Sequence, residues 1–148
     1  MTIDNLTWHA NSSEYPPDVP RENGCTHIGV FLAWAIINDL VSEQFLNTHG
    51  DLIEQVRHKK ITGRELLLKA CNAEIQENYF NEEGQQFVKN YYNSDKYIND
   101  YAKTIGTAQV STVYHVVDSW KSYDFITKKI DQRYSDWKSG KKWWEFWK

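Results

Sequence analysis

The run Thr26-His27-Ile28-Gly29-Val30-Phe31-Leu32-Ala33-Trp34-Ala35-Ile36-Ile37 is apolar almost without a break and ends at Asn38-Asp39. Ile28, Phe31, Leu32, Ala35 and Ile36 follow helical spacing on one face, and Val30, Trp34, Ile37 and Val41 follow it on another. The spacing predicts a helix that is apolar nearly all round. Such a helix has to be surrounded by the rest of the chain, which makes it the central element. Thr26 is the expected N-cap, and Gly29 with Ala33, four residues apart, leave a smooth strip where a second backbone can come close. The run is too short to span a bilayer, which takes about 20 apolar residues.

At 148 residues the chain has room for one domain with a sizeable core. Hydrophobic residues at 41% and charged ones at 25% exclude wholesale disorder, and seven tryptophans promise a core or surface rich in rings. The net charge of −3 hides an asymmetry: residues 121–148 hold eight Lys or Arg against four Asp or Glu, leaving nine against sixteen in residues 1–120. A body of net charge −7 argues against a nucleic-acid interface, where phosphates are met by clustered Lys and Arg, and suits a basic protein partner. Cys25 and Cys71 lie far apart, and Met1 to His9 has neither a basic cluster nor an apolar segment of a secretory signal. Both thiols are expected reduced and the protein cytoplasmic.

Residues 1–25 read as an extended or looped lead-in. The Tyr15-Pro16-Pro17-Asp18-Val19-Pro20 segment cannot be a helix interior, because proline lacks an N–H and biases its predecessor toward extended geometry. A short helix is expected over about Asp51–Lys60, with acids early and bases late as the helix dipole favours. Thr62-Gly63-Arg64-Glu65 is a capping box, with Ile61 and Leu66 at the hydrophobic-staple positions. Asn81-Glu82-Glu83 and Ser94-Asp95 open two further helices, the second closed by Gly106. Ser111 to Val117 is the one β-branched run and predicts a strand or extended link at Val113–Val117. Asp118 or Ser119 then caps a long final helix with Tyr123, Ile126, Ile130, Tyr134 and Trp137 on one stripe, ending before Gly140. The expected fold is therefore mainly α: a single compact helical domain over residues 1–140, with a central buried helix and at most one or two short strands. Residues 141–148 form a Trp/Lys-rich C-terminal tail.

Asp4-Asn5 with Trp8-His9, the Pro17 to Pro20 segment, Glu22-Asn23-Gly24, Thr26-His27-Ile28-Gly29 with Phe31-Leu32-Ala33-Trp34-Ala35, Thr62-Gly63-Arg64-Glu65, Asn81-Glu82-Glu83-Gly84 and Tyr114-His115-Val116 before Trp120 are fairly specific in combination. Together they resemble a family of small uncharacterised bacterial proteins, a domain of unknown function, over nearly the whole chain. The resemblance implies bacterial origin and a single intact domain, without a reaction. In general character such small acidic proteins are similar to immunity proteins that neutralise toxins by protein–protein interaction.

The sequence has no G-x-S-x-G, G-x-x-x-x-G-K, G-x-G-x-x-G, H-E-x-x-H or C-x-x-C pattern, which weighs against the enzymes that need one. Of five histidines, His9, His27 and His115 could bind a metal through neutral imidazole nitrogens if they converged, with Glu22 or Asp118 supplying a carboxylate. The ordinary alternative is a half-buried histidine that donates one ring N–H and ties the lead-in to the core. Cys25 and His27 are a second candidate pair, a thiolate at a helix start. In the tail, Trp143, Trp144, Phe146 and Trp147 flanked by lysines are candidate binding residues for a partner pocket or a membrane surface, either as a free tail or folded back as a clasp. The expected function is a non-enzymatic binding protein of the immunity type with a cognate toxin as partner, needing no cofactor. The alternatives are a small metal-dependent enzyme built on His9, His27, His115 and Glu22, or peripheral membrane association through the tail.

Overall fold

The computed structural model describes residues 1–107 and 111–146, with side chains described over 1–105 and 111–140. Seven helices carry the described chain: α1 (Leu6–Ala10), α2 (Thr26–Ile37), α3 (Glu43–Arg57), α4 (Gly63–Ala70), α5 (Glu82–Phe87), α6 (Lys96–Thr107) and α7 (Trp120–Phe146). Two short strands, β1 (Thr2–Asn5) and β2 (Glu74–Gln76), pair antiparallel. No helix among the described residues is long and apolar enough to cross a membrane.

Every residue of α2 from Thr26 to Ile36 is buried, with Phe31 and Trp34 each 1% exposed, as an all-round apolar helix requires. At about 1.5–3 kcal/mol for each fully buried large apolar side chain, this one helix supplies a large part of the hydrophobic driving force. Its closest neighbour is α4. A Cβ on Gly63 would stand 1.9 Å from the Gly29 carbonyl oxygen and 3.1 Å from the Ala33 methyl, so the Gly29/Ala33 strip is where the two backbones meet. The Thr62–Glu65 capping box is complete and fixes the start of α4 at that contact. On the other side α7 lays Tyr123, Ile126 and Ile130 into the core, and Asp131 accepts a 2.8 Å hydrogen bond from Trp34 Nε1. Its start is capped as expected, Ser119 Oγ accepting from the Ser122 N–H at 3.2 Å.

Several local expectations are corrected. Of the strand or extended link expected at Val113–Val117, the strand does not form: Val113–His115 is one turn of 3-10 helix, because Thr112 accepts from the Tyr114 N–H and turns the chain, and extended backbone follows at Val116. The sheet forms instead between β1 and β2, whose few alternating residues carry no pattern of their own, so part of the lead-in is a strand and part a helix. Thr26 does not cap α2; a 3-10 turn over Arg21–Cys25 runs into it, and the Thr26 hydroxyl accepts from Arg64 instead. The helix expected over about Asp51–Lys60 begins about two turns earlier, at Glu43, capped by the Ser42 hydroxyl that accepts from the Phe45 N–H, and it kinks at His49. Gly106 does not end α6, which reaches Thr107, and Gly140 does not stop α7, which continues to Phe146. The rings of Trp143, Trp144, Phe146 and Trp147, and with them the choice between clasp and free tail, lie outside the described side chains.

Candidate functional site

Asp4 is the hub. The strand register slips between Thr2 and Asp4, and the irregularity turns Asp4, paired with the buried Ile75, toward the interior. Its carboxylate, 10% exposed, gathers donors from three other elements. His9 of α1 gives its Nε2 to Oδ1 at 2.8 Å, and His27 of α2 gives its Nε2 to Oδ2 at 3.2 Å. Tyr92 donates its hydroxyl to Oδ2 at 2.6 Å. Burial alone would raise the Asp4 pKa, but the hydrogen bonds and charges of the two imidazoles outweigh it and hold the carboxyl well below the usual range.

Tyr92 reaches the site because of a helical defect. After α5 the chain widens into a π-helix over Val88–Tyr92, the kind of one-turn bulge often found beside functional sites. It sends two adjacent tyrosines to different carboxylates, Tyr91 to Asp100 at 2.8 Å and Tyr92 to Asp4. Burial raises the pKa of both phenols, so each is a firm proton donor.

The two histidines differ. His27 is fully enclosed, and burial pushes its pKa below the ordinary value against the pull of Asp4. As a neutral ring whose Nε2–H serves Asp4, it keeps a bare Nδ1, which is buried with no partner among the described residues. His9 stands at the solvent side, its Nδ1 2.8 Å from the Tyr114 hydroxyl. The two rings meet edge to face at 4.4 Å.

Asp4, His9 and His27 each offer one donor atom, and these atoms lie within 4.8 Å of one another. Ligands about 2.0 Å from a tetrahedral ion stand roughly 3.3 Å apart, so a small inward movement turns the hydrogen-bonded cluster into three ligands. The outer shell that metal-binding residues need is partly built: the Tyr114 hydroxyl is placed to accept a hydrogen bond from a His9 Nδ1–H, and Tyr92 braces Asp4. The His27 Nδ1 lacks a partner with or without an ion, so binding creates no new orphan there. The cluster forms the floor of a cavity of about 350 Å³ walled by Ile3, Trp8, Tyr92, Tyr97 and Ile98.

Of the residues singled out from the sequence, His9 and His27 come together and His115 and Glu22 stay outside the cluster. His115 turns away to Asp18 at 3.0 Å and Thr112 at 2.8 Å, and Glu22 lies exposed on the 3-10 turn. Asp118 braces another part of the fold, accepting from Thr62 at 2.6 Å beside Arg64. Asp4 was missed as a ligand; the only signal for it was its place five residues before His9 in the Asp4-Asn5/Trp8-His9 pattern. The Cys25–His27 pair makes no nucleophile: burial pushes the Cys25 thiol up to about 12, and Sγ donates to the Glu22 carbonyl at 3.3 Å.

A family model described as Domain of unknown function (DUF7832) matches residues 2–116. That span holds Asp4, His9, His27, Tyr92 and Tyr114 and stops short of α7. No curated protein and no solved structure matches the chain.

Proposed function

The chain belongs to this family of unknown function, and on that footing we propose that it is a small metal-dependent protein whose Asp4, His9 and His27 hold a divalent transition metal of the zinc class. The observation that carries the reading is the convergence of three donor atoms within 4.8 Å at the floor of an open cavity. Two imidazoles and a carboxylate suit zinc and its neighbours better than calcium or magnesium, which favour oxygen alone. Three protein ligands leave a coordination position open to the cavity, the pattern of a working metal site rather than of a purely structural one, which is closed by four. The metal would act there as a Lewis acid or lower the pKa of a bound water.

Elemental analysis and calorimetric titration of chelator-treated full-length protein test this. One zinc per chain at micromolar affinity or better, lost in the Asp4→Asn/His9→Gln double variant while its circular dichroism is kept, is the expected result. A protein that takes no stoichiometric metal sinks the reading.

A second reading rests on the charge asymmetry: a body of net charge −7 suits a non-enzymatic binding protein of the immunity type that occludes a basic toxin. Co-purification with, and protection against, the toxin encoded beside its gene is the test, and absence of both ends it. The lysines and rings of residues 141–148 suit an anionic lipid surface as a further point of contact. Deleting them should then abolish vesicle binding, and unchanged binding rules that contact out.

A further inference from the structure

We infer that the cavity above Asp4, His9 and His27 selects a monoanionic carboxylate with a flat apolar body and rejects phosphate esters. The inference rests on the metal reading above and adds the ligand class to it.

The first step is a charge count. A divalent ion brings +2, Asp4 brings −1, and a histidine must be neutral to ligate. The loaded floor therefore carries one uncompensated positive charge beside a carboxylate that is only 10% exposed. In so dry a place the ligand that leaves no net charge behind is favoured, and that ligand carries −1.

The walls decide against more charge than that. Among the described residues no Lys or Arg lines the cavity, so there only the metal would neutralise a dianionic phosphate. Among the described lining residues the one other acidic group is the exposed Asp95, whose carboxylate forms no ion pair among those residues. It would repel a second negative charge. Asn93 beside it offers neutral hydrogen-bonding groups.

The shape of the ligand body follows from the rings. Trp8 is 57% exposed on α1, directly before His9, and Tyr92 of the π-helix stacks at 5.0 Å between centroids on Tyr97 of α6. Trp8 and the half-buried Tyr92, backed by the buried Tyr97 and joined by Ile98, provide apolar walls above a polar floor, and about 350 Å³ falls within the range of small-molecule pockets. An aryl carboxylate satisfies both ends at once, its oxygens at the open metal position and its ring against Trp8.

Benzoate and phenyl phosphate at neutral pH are the probes, titrated into zinc-loaded and metal-free full-length protein. Benzoate should bind the loaded form at least ten times more tightly than the metal-free form and at least ten times more tightly than phenyl phosphate. Trp8→Ala should weaken benzoate threefold to tenfold with zinc affinity unchanged, and Asp95→Asn should narrow the gap between the probes. Zinc-loaded protein that binds phenyl phosphate as well as benzoate, or binds neither, overturns this inference and leaves the metal reading standing. A chain that takes no zinc overturns both.

Discussion

The Tyr92 hydroxyl and the Asp4 carboxylate meet at 2.6 Å across 88 residues of sequence, joining the π-helix to the first strand. Together with His27 they tie three separate segments to one buried anion. The stability of the fold and the readiness of the site consequently rest on the same few hydrogen bonds.

Tyr92→Phe keeps the ring and removes the donor. A hydrogen bond to a charged group is worth about 1.5–3 kcal/mol, so urea unfolding at pH 7 should show a loss in that range. The same substitution in an Asp4→Asn background should cost much less, and equal losses in the two backgrounds would mean that the pair is not coupled.

Acid should destabilise the protein in two windows. His27 has its pKa lowered in the fold, so as pH falls below about 6.5 the unfolded chain takes up a proton that the folded one refuses, and stability drops. Asp4, also lowered, adds a second loss as pH falls below about 4, where the unfolded carboxylate protonates first. Denaturant midpoints measured from pH 8 to pH 3 should follow both declines. His27→Gln should flatten the upper one and leave the lower.

Gly63→Ala should be severe. The added methyl would meet the Gly29 carbonyl oxygen at 1.9 Å, a backbone atom with no flexible side chain to give way. A loss of about 3 kcal/mol or more, seen as a lowered Tm or insoluble protein, is expected. Gly50→Ala is the control, since a methyl there meets nothing within 4 Å; it should be neutral or stabilising by up to about 1 kcal/mol.

Tyr114→Phe tests the outer shell of the proposed metal site. The hydroxyl 2.8 Å from His9 Nδ1 fixes which ring nitrogen is free to ligate, so its loss should weaken zinc binding about 10–100-fold. The pH dependence of the titration should shift with it, whereas a merely structural contact would change stability and leave the pH profile in place.

The features legible in the sequence are the ones written locally. The capping box at Thr62, the helix starts at Asn81 and Ser119, the close-approach strip at Gly29/Ala33 and the stripe from Tyr123 to Trp137 each depend on residues within about four helical turns of one another. The buried rod of α2 was legible because nothing but complete enclosure suits its composition. The site was half legible. Two of its histidines stood out by type, but their carboxylate sits on a strand whose pairing partner lies more than seventy residues away. The π-helix that delivers Tyr92 has no sequence signature of its own. His115 misled because the β-branched run around it suggested a strand, whereas one hydroxyl, that of Thr112, turns the backbone there and sends the imidazole to Asp18.

The wide spacing of the cluster also sets a schedule for the growing polypeptide. Asp4 and His9 are made well before their partners, and His9 must wait for Tyr114, made 105 residues later. At about 5–20 residues per second that is roughly 5–20 s during which the earliest ligands have no finished pocket to enter. A nascent chain arrested before Tyr92 carries both imidazoles and the carboxylate without the braces that hold them, so capture of the proposed metal should coincide with a late stage of folding.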